Sequence, residues 1–227
     1  MCGRFTLTAT PEMVAAELGL AEVPLLTPRY NIAPTQGVPL VRLVGEARRL
    51  DLLTWGLVPS WAKDRKIAAS LINARAETAQ EKPAFRAAFK RRRGLVVADG
   101  FFEWRKEGAS KQPVWFHLAD DSVLTFAGLW ETWTSPDGAV VESCTILTTA
   151  ANDLVRPVHD RMPVILPPEQ RDAWLAPGEL PPGGAEALLV PLDPKLMAAH
   201  DVDPRVGNPR FDEPLAVAPR PRQGSLF

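Results

Sequence analysis

Short runs of apolar and β-branched residues, separated by turn residues, recur between residues 2 and 148 and predict a series of β-strands. Two of these runs flank the Gly45-Glu46 turn and predict a β-hairpin. Because the strands follow one another without regular helical crossovers, we expect a mainly antiparallel sheet. The predicted strands are Cys2–Thr8, Val38–Val44, Arg48–Trp55, Gly94–Ala98, Phe101–Lys106, Pro113–Leu118, Val123–Trp130 and Ala139–Thr148.

Helical patterns are fewer, and the clearest begins at Pro11, with Thr10 placed to cap the helix N-terminus. Thirteen of the 23 prolines lie in 163–227, so that part should alternate short elements with extended stretches. The predicted helices are Pro11–Leu18, Lys82–Arg92, Ala150–Val155, Pro168–Leu175 and Pro194–His200. Together the elements predict the α+β class: a single domain over residues 1–216 with an antiparallel β core, either a curved sheet or an open barrel, and short flanking helices. Residues 217–227 are predicted to form a flexible tail.

Charge is balanced overall and uneven locally. The 227 residues carry 26 Lys+Arg and 27 Asp+Glu, which argues against an overall basic nucleic-acid binder but not against a local basic groove. The segment 63–93 holds ten Lys/Arg and three Asp/Glu, a local charge of +7 that leaves −8 for the rest. We interpret this segment as the wall of a DNA groove. The alternative is that the run Lys90–Arg93 only complements the dipole at the end of a helix.

Several functional classes are disfavoured by what the sequence lacks. Two cysteines cannot form a disulfide framework, and three dispersed histidines do not suggest a metal site, so no metal and no cofactor is predicted. The phosphate-binding and hydrolase motifs G-x-x-x-x-G-K-[ST], G-x-G-x-x-G, H-E-x-x-H and G-x-S-x-G are absent. Neither a signal peptide nor an apolar run of about 18–20 residues is found. We therefore expect a cytoplasmic protein with no membrane partner.

Cys2 directly follows the initiator methionine, and a small second residue permits removal of that methionine. The product would carry a free α-amine and a thiol on one residue, with reference pKa values near ~8 and ~8.5. Such an aminothiol condenses with an aldehyde to an imine, and its thiol then closes a thiazolidine ring. Alternatively, the thiol acts as a nucleophile with its own amine as base. A third interpretation is that cysteine stands at this position by chance.

Eight segments stand in order along nearly the whole chain: MCGRF (1–5), RYNIAPTQ (29–36), WGLVPSWA (55–62), INARAETA (72–79), ADGFFEW (98–104), FAGLWE (126–131), TILTTAANDLVRPVHDRMPVIL (145–166) and VGNPRFDEP (206–214). Together they resemble the SOS response-associated peptidase (SRAP) family of abasic-site-processing proteins that crosslink to DNA. The sequence departs from the family pattern at 93–102, where RGLVVADGFF replaces the commoner RCLVPADGFY. Phe102 therefore lacks the hydroxyl of the usual tyrosine.

The resemblance implies a DNA-damage response protein that binds abasic sites in single-stranded DNA, including junctions with duplex DNA. It implies that Cys2 forms a thiazolidine with the ring-opened sugar, in a single-turnover reaction that shields the abasic site. It also implies an associated cysteine peptidase activity and lyase-type chemistry. Only Met1 precedes the cysteine, so an aminopeptidase could suffice. A monomer is expected, associated with the nucleoid when bound to DNA.

Carried over motif by motif, the resemblance places Asn73, Glu103 and His159 around Cys2. Opening the closed sugar requires proton transfers, and Glu103, in an apolar context that raises a carboxyl pKa, is the candidate shuttle. His159 can donate to the sugar oxygen or to a phosphate, and Asn73 can orient the amine or the sugar. The alternatives are a solvated glutamate on a strand, a structural histidine that caps a helix, and an asparagine in a turn.

Five further residues are predicted to bind DNA. Arg4, Arg75 and Arg161 each lie within two residues of a proposed catalytic position, and a guanidinium matches a phosphate with two hydrogen bonds. Each could instead pair with a carboxylate, as Arg161 could with its neighbour Asp160. Trp61 is expected to stack on a base, worth about 1–3 kcal/mol. The fifth residue, in the cleft, is Asn31.

Two other functions compete with this hypothesis. Glutamine amidotransferases also begin with Cys-Gly after methionine, so the chain could be an N-terminal-nucleophile amidotransferase or peptidase. Those enzymes use an Asn-Gly pair in the oxyanion hole, and none of the four asparagines here precedes a glycine. The remaining alternative is a non-catalytic binder of single-stranded DNA in which the cysteine has no role.

Overall fold

The computed structural model describes residues 2–220, which form two β-sheets surrounded by short helices. The strands within this range are β1 (Phe5–Leu7), β2 (Arg29–Ile32), β3 (Gly37–Val44), β4 (Ala47–Trp55), β5 (Asn73–Arg75), β6 (Arg93–Ala98), β7 (Gly100–Glu107), β8 (Ser110–Leu118), β9 (Leu124–Thr134), β10 (Val140–Ala150), β11 (Arg161–Pro163) and β12 (Met197–Asp201). The α-helices are α1 (Pro11–Leu18), α2 (Ala76–Ala79), α3 (Arg86–Arg91), α4 (Pro168–Leu175) and α5 (Gly184–Leu188).

Strand pairing is mainly antiparallel, which confirms the predicted α+β class. One sheet has the order β12-β8-β7-β1-β2, so the N-terminal strand lies inside the sheet. In the other, β10 pairs with both β4 and β9, and this closes a ring through β4, β3, β6 and β9 where an open barrel or curved sheet was expected. β5 and β11 add to the two sides of β10 near its end. The pairings of β10 with β4 and β5 are parallel.

An aromatic cluster joins the two sheets. Phe126 of β9 meets Phe5 of β1 and Phe101 of β7 edge to face, with ring centroids 5.8 and 6.1 Å apart. Phe5 also contacts Trp55 of β4 at 5.1 Å, and Phe101 stacks on Phe116 of β8 at 5.2 Å. All five side chains are buried, so the N-terminal strand is fixed by packing as well as by its hydrogen bonds.

The carboxylate of Asp99, between β6 and β7, fixes the chain that follows β1. It accepts hydrogen bonds from the hydroxyl groups of Thr6 (2.5 Å) and Thr8 (2.7 Å), and from the backbone N–H groups of Thr8 and Ala9. Asp99 is itself buried, so these donors satisfy a carboxylate that water scarcely reaches. The aspartate thereby helps to set the position of Cys2, four residues before Thr6.

Local signals gave some elements correctly and others wrongly. The predicted bounds of α1 and α4 and the β3–β4 hairpin are confirmed. The predicted helix over Pro194–His200 is wrong: a single 3₁₀ turn, Pro194–Leu196, leads into β12, which pairs with the edge of β8. The predicted helix over Ala150–Val155 is also wrong, because only hydrogen-bonded turns follow β10.

The end of the chain is described in part. Residues 221–227 of the predicted tail lie outside the described residues. Before them, the backbone N–H of Arg220 donates to Asp201 O at 2.7 Å, and the carbonyl of Val217 lies 2.8 Å from His200 Nε2. Among residues 2–220, no helix combines the length and the apolar character needed to span a bilayer.

We expect Asp99→Ala to lower the free energy of unfolding by about 2–4 kcal/mol, because two backbone N–H groups and two hydroxyls lose a charged acceptor. Denaturant titration measures the change. Asp153→Ala is the matched control, since Asp153 forms, among residues 2–220, only an exposed ion pair with Arg156, and its loss should cost less than about 1 kcal/mol. Equal losses in the two variants would contradict the role given to Asp99.

Candidate active site between the two sheets

The four predicted catalytic residues come from separate parts of the fold and meet near the N-terminus. Cys2 precedes β1, Glu103 lies in β7, Asn73 begins β5, and His159 follows the turns after β10. The side-chain amide of Asn73 donates to the carbonyl of Cys2 at 2.7 Å. The charge of Glu103 acts on the Cys2 thiol and that of His159 acts on Glu103, so Glu103 lies within electrostatic range of both.

The Cys2 thiol is fully buried, with its Sγ 3.8 Å from the carbonyl oxygen of Arg4. Burial is the main cause that raises the pKa of this thiol far above its ordinary value, and the negative charge of Glu103 adds to the effect. The sulfur is therefore a neutral thiol at physiological pH. A site built in this way does not hold a preformed thiolate.

Glu103 is 3% exposed, and burial raises the pKa of its carboxyl group above the ordinary value of 4.5. His159 opposes this rise, while the nearby charge of Asp160 adds to it. The carboxyl group thus keeps its proton to higher pH than an exposed glutamate, as its apolar sequence context predicts. It is suited to donate a proton and to take one back.

The hydrogen bonds of His159 fix its tautomer. Its Nδ1 accepts from the backbone N–H of Arg161 at 3.0 Å, so the neutral ring carries its proton on Nε2. Asp160 Oδ1 also lies 3.1 Å from Nδ1, a contact that is favourable only if Nδ1 is protonated. Because Asp160 is 88% exposed and water can solvate its carboxylate, we assign the backbone hydrogen bond. The imidazole is 30% exposed, so a ligand can reach it.

Arg4 and Asn31 form a hydrogen-bonded unit with residues 204–217, which we name the C-terminal strap. Arg4 Nη1 donates to Asn31 Oδ1 and to Val206 O, each at 2.9 Å, and Nη2 donates to Gly207 O at 3.1 Å. Asn31 is fully buried, and its amide nitrogen bonds to backbone carbonyls of the strap. Its side chain holds the strap in this structure, and contact with DNA stays a prediction.

The other two predicted phosphate ligands differ from each other. Arg75 is exposed and makes no side-chain hydrogen bond or ion pair with the described residues. Arg161 forms a two-pronged ion pair with Glu77, at 2.6 and 2.9 Å, and also donates to Thr148 O at 2.5 Å. Pairing with an internal carboxylate is the alternative interpretation of Arg161, and its partner is Glu77, not the adjacent Asp160.

Trp61 is 59% exposed, with its indole N–H 3.4 Å from Pro83 O, whereas Trp55 is fully buried and donates to Ile72 O at 2.9 Å. An exposed indole beside the basic segment is available to a base. The stacking role of Trp61 stays a prediction.

The run Lys90–Arg93 is largely used within the protein. Arg93 is buried and donates to four backbone carbonyls around the ends of α3 and α4. Lys90 pairs with Glu179 at 3.0 Å and Arg92 with Glu131 at 2.6 Å. These partners reduce the positive charge that the segment 63–93 offers to a ligand.

Three residues in the quoted motifs have positions that the sequence did not suggest. Asp212 fixes the strap to β2 by accepting from Arg29 Nε at 2.5 Å and from two backbone N–H groups. Phe102 is fully buried in a small cluster with strap residues. Glu77 forms the ion pair with Arg161. The sequence feature that could have indicated its role is a negative charge two residues after Arg75, an expected phosphate ligand. Within the described range, no three His, Cys, Asp or Glu side chains are grouped as a metal site.

Sequence comparison gives consistent relatives. The family model described as SOS response associated peptidase (SRAP) matches residues 1–209. The abasic site processing protein YoqW of Bacillus subtilis (strain 168) is 40% identical over 221 residues, which cover 96% of this chain and 99% of that protein. YedK of Escherichia coli (strain K12) is 35% identical over 77% of this chain and 79% of its own length. HMCES of Mus musculus is 32% identical over 85% of this chain and 65% of its own length.

Solved structures agree with the fold. A protein from Bacteroides thetaiotaomicron superposes with a TM-score of 0.88 at 28% identity, covering 97% of this chain and all of that one. A protein from Bordetella bronchiseptica gives a TM-score of 0.75 at 27% identity, covering 89% of this chain and all of its own.

Glu103→Gln is expected to be more stable than the unmodified protein at neutral pH. The raised pKa means that the native state binds a proton more tightly than the unfolded state, so the carboxyl contributes stability at acidic pH that is lost as pH rises. The extra stability of Glu103→Gln should therefore vanish below about pH 4.5. Denaturation midpoints measured from acidic to neutral pH test this expectation. The control is Glu107→Gln, a half-exposed position on the same strand. A destabilised variant at neutral pH would refute this interpretation.

Proposed function

This chain belongs to the SOS response-associated peptidase family, and we propose that it captures abasic sites in single-stranded DNA through a covalent bond to Cys2. The observation that supports the proposal is a chain of contacts around the second residue: Asn73 bonds the carbonyl of Cys2, Glu103 acts on its thiol, and His159 acts on Glu103. The name shared by its relatives, abasic site processing protein, supports the substrate. The predicted domain, residues 1–216, contains every residue that the mechanism uses.

The reaction begins with removal of Met1, which frees the α-amine of Cys2 from its peptide bond. The amine attacks the aldehyde carbon of the open sugar, and the carbinolamine loses water to form an imine. The thiol then adds to the imine carbon, and its proton passes to the nitrogen. One C–N and one C–S bond form, one water leaves, and the DNA backbone stays intact.

The raised pKa of the thiol supports this order of attack. A buried neutral thiol is a weak nucleophile toward the aldehyde, whereas the imine, once protonated, is a stronger electrophile and lies on the same residue as the sulfur. The amine therefore reacts first. Because the ring closes within one residue, the second step needs little further ordering of the reactants.

Proton transfers are assigned to the two neighbouring titratable groups. Glu103, with its raised pKa, donates a proton to the ring oxygen as the sugar opens and recovers one from the anomeric hydroxyl. During imine formation it gives a proton to the leaving hydroxyl, which departs as water, and takes one from the nitrogen. His159 presents its Nε2 proton to the sugar or to a phosphate oxygen. Asn73 holds the Cys2 carbonyl and so sets the direction from which the amine approaches.

The DNA strand is held by phosphate contacts and stacking. Arg75 is exposed and ready to bind a phosphate. Arg4 donates to neutral oxygen atoms in the described chain, so no carboxylate there neutralises its positive charge. Arg161 supplies a third contact, and Trp61 offers a stacking surface. Duplex DNA at a junction would extend along the basic segment 63–93. Removal of Met1 is the step that either the family's peptidase activity or an aminopeptidase would perform.

The deciding experiment incubates protein of native N-terminus with single-stranded DNA that contains one abasic site, followed by denaturing electrophoresis. We expect a stable conjugate that Cys2→Ala abolishes and that an N-terminal tag, which blocks the amine, also abolishes. Cys144→Ala is the matched control, since Cys144 is the other buried free cysteine and should leave the conjugate unchanged.

A conjugate that survives both changes would exclude the mechanism. Glutaminase activity without a conjugate would favour the amidotransferase. Salt-sensitive binding alone would favour a non-catalytic binder.

Glu103→Gln should slow conjugate formation by about a hundredfold or more, because the site loses its general acid and base. Binding to undamaged single-stranded DNA should stay the same, since Glu103 is buried and is assigned no phosphate contact. Rapid-quench kinetics and fluorescence anisotropy measure the two quantities, again with Glu107→Gln as control. Loss of DNA affinity without a slower reaction would show that the shuttle role is wrong.

A further inference from the structure

The ion pair between Glu77 and Arg161 has the geometry of a phosphate contact. Both carboxylate oxygens face the guanidinium fork, at 2.6 and 2.9 Å, which is how an arginine also binds two oxygens of a phosphate. The pair lowers the pKa of Glu77, so this carboxylate is anionic at neutral pH. Arg161 cannot offer the same fork to DNA while Glu77 occupies it.

The two members of the pair differ in freedom. Arg161 is 15% exposed and is further held by the Thr148 carbonyl, so its guanidinium is fixed in place. Glu77 is 52% exposed and belongs to α2, a helix of four residues. The carboxylate can therefore turn into solvent while the guanidinium stays where it is.

The surroundings connect this pair to the proposed site. Arg75, opposite Thr148 in the β5–β10 register, also acts on the charge of Glu77. Asn73, at the start of the same strand, holds Cys2. Glu77 is thus an anion in contact with Arg161 and in the field of Arg75, four residues along the chain from Asn73, which holds Cys2.

We propose that Glu77 is a specificity-determining residue that occupies the phosphate position at Arg161 and must be displaced when a DNA strand binds. This inference rests on the proposed function. Displacement weakens reversible binding to every strand, so undamaged DNA is released quickly. An abasic site is retained because the covalent bond to Cys2 does not depend on that equilibrium. Selection for damage then comes from the chemical step and less from affinity.

Glu77→Gln tests the displacement, with Glu81→Gln as matched control. Both variants remove one negative charge close together in the chain, but Glu81 is exposed and has no ion pair within the described residues. Anisotropy with an undamaged single-stranded oligonucleotide gives the affinity. Relative to the control, Glu77→Gln should bind about two- to tenfold more tightly. Its plot of log K against log salt should steepen by up to about 0.7, because no freed carboxylate remains beside the phosphate.

The opposite sign would overturn the inference. If Glu77 only positions Arg161, Glu77→Gln should bind DNA more weakly than Glu81→Gln, and equal affinities would show no displacement. In the Arg161→Gln background, Glu77→Gln should have no effect beyond that of the control, and a persisting effect would show that Glu77 does not act through Arg161.

The conjugate assay on the unmodified protein separates the two proposals. Absence of a conjugate would reject the covalent function, while tighter binding by Glu77→Gln would still establish the displacement. A conjugate together with unchanged binding by the variant would reject the displacement alone.

Discussion

The placement of the N-terminal strand inside a sheet is the constraint on which the site depends. Chain termini usually lie loose at the surface, yet β1 pairs with β2 on one side and with β7 on the other. Phe5 packs into the aromatic cluster that joins the two sheets, and Asp99 binds the residues that follow. Residue 2 is consequently buried beside β7, where Glu103 lies. A reactive group at the chain end gains a fixed position only because the strand behind it cannot move.

Sequence patterns predicted the elements whose structure is set by residues close together in the chain. The hairpin turns at Gly45, whose positive φ of 64° suits glycine, and α1 has its Thr10 cap. Strands β5 and β11 were missed because three residues show no periodicity, and both exist through pairing with β10. The segment 194–200 has helical composition but follows the edge of β8.

The site could be assembled from the sequence only through family resemblance. Asn73 and Cys2 are 71 residues apart, and nothing in their local context predicts a hydrogen bond between them. For Arg161, proximity in sequence suggested Asp160, but the pairing partner is 84 residues away in α2. The basic segment shows a similar limit, because composition counts charges without showing that Arg93 is buried and that Lys90 and Arg92 already have carboxylate partners.

The hydrogen bond between Arg4 and the C-terminal strap also determines when, during synthesis, the N-terminus acquires its final surroundings. Arg4 and Val206 are 202 residues apart, so the surroundings of the N-terminus are completed only when nearly the whole chain has left the ribosome. At typical elongation rates this takes about 10–40 s. Before β7 is made, β1 lacks the neighbour beside which Cys2 is buried, so the residue stays accessible. The nascent chain therefore offers its first residue to a methionine-removing enzyme before folding buries the second.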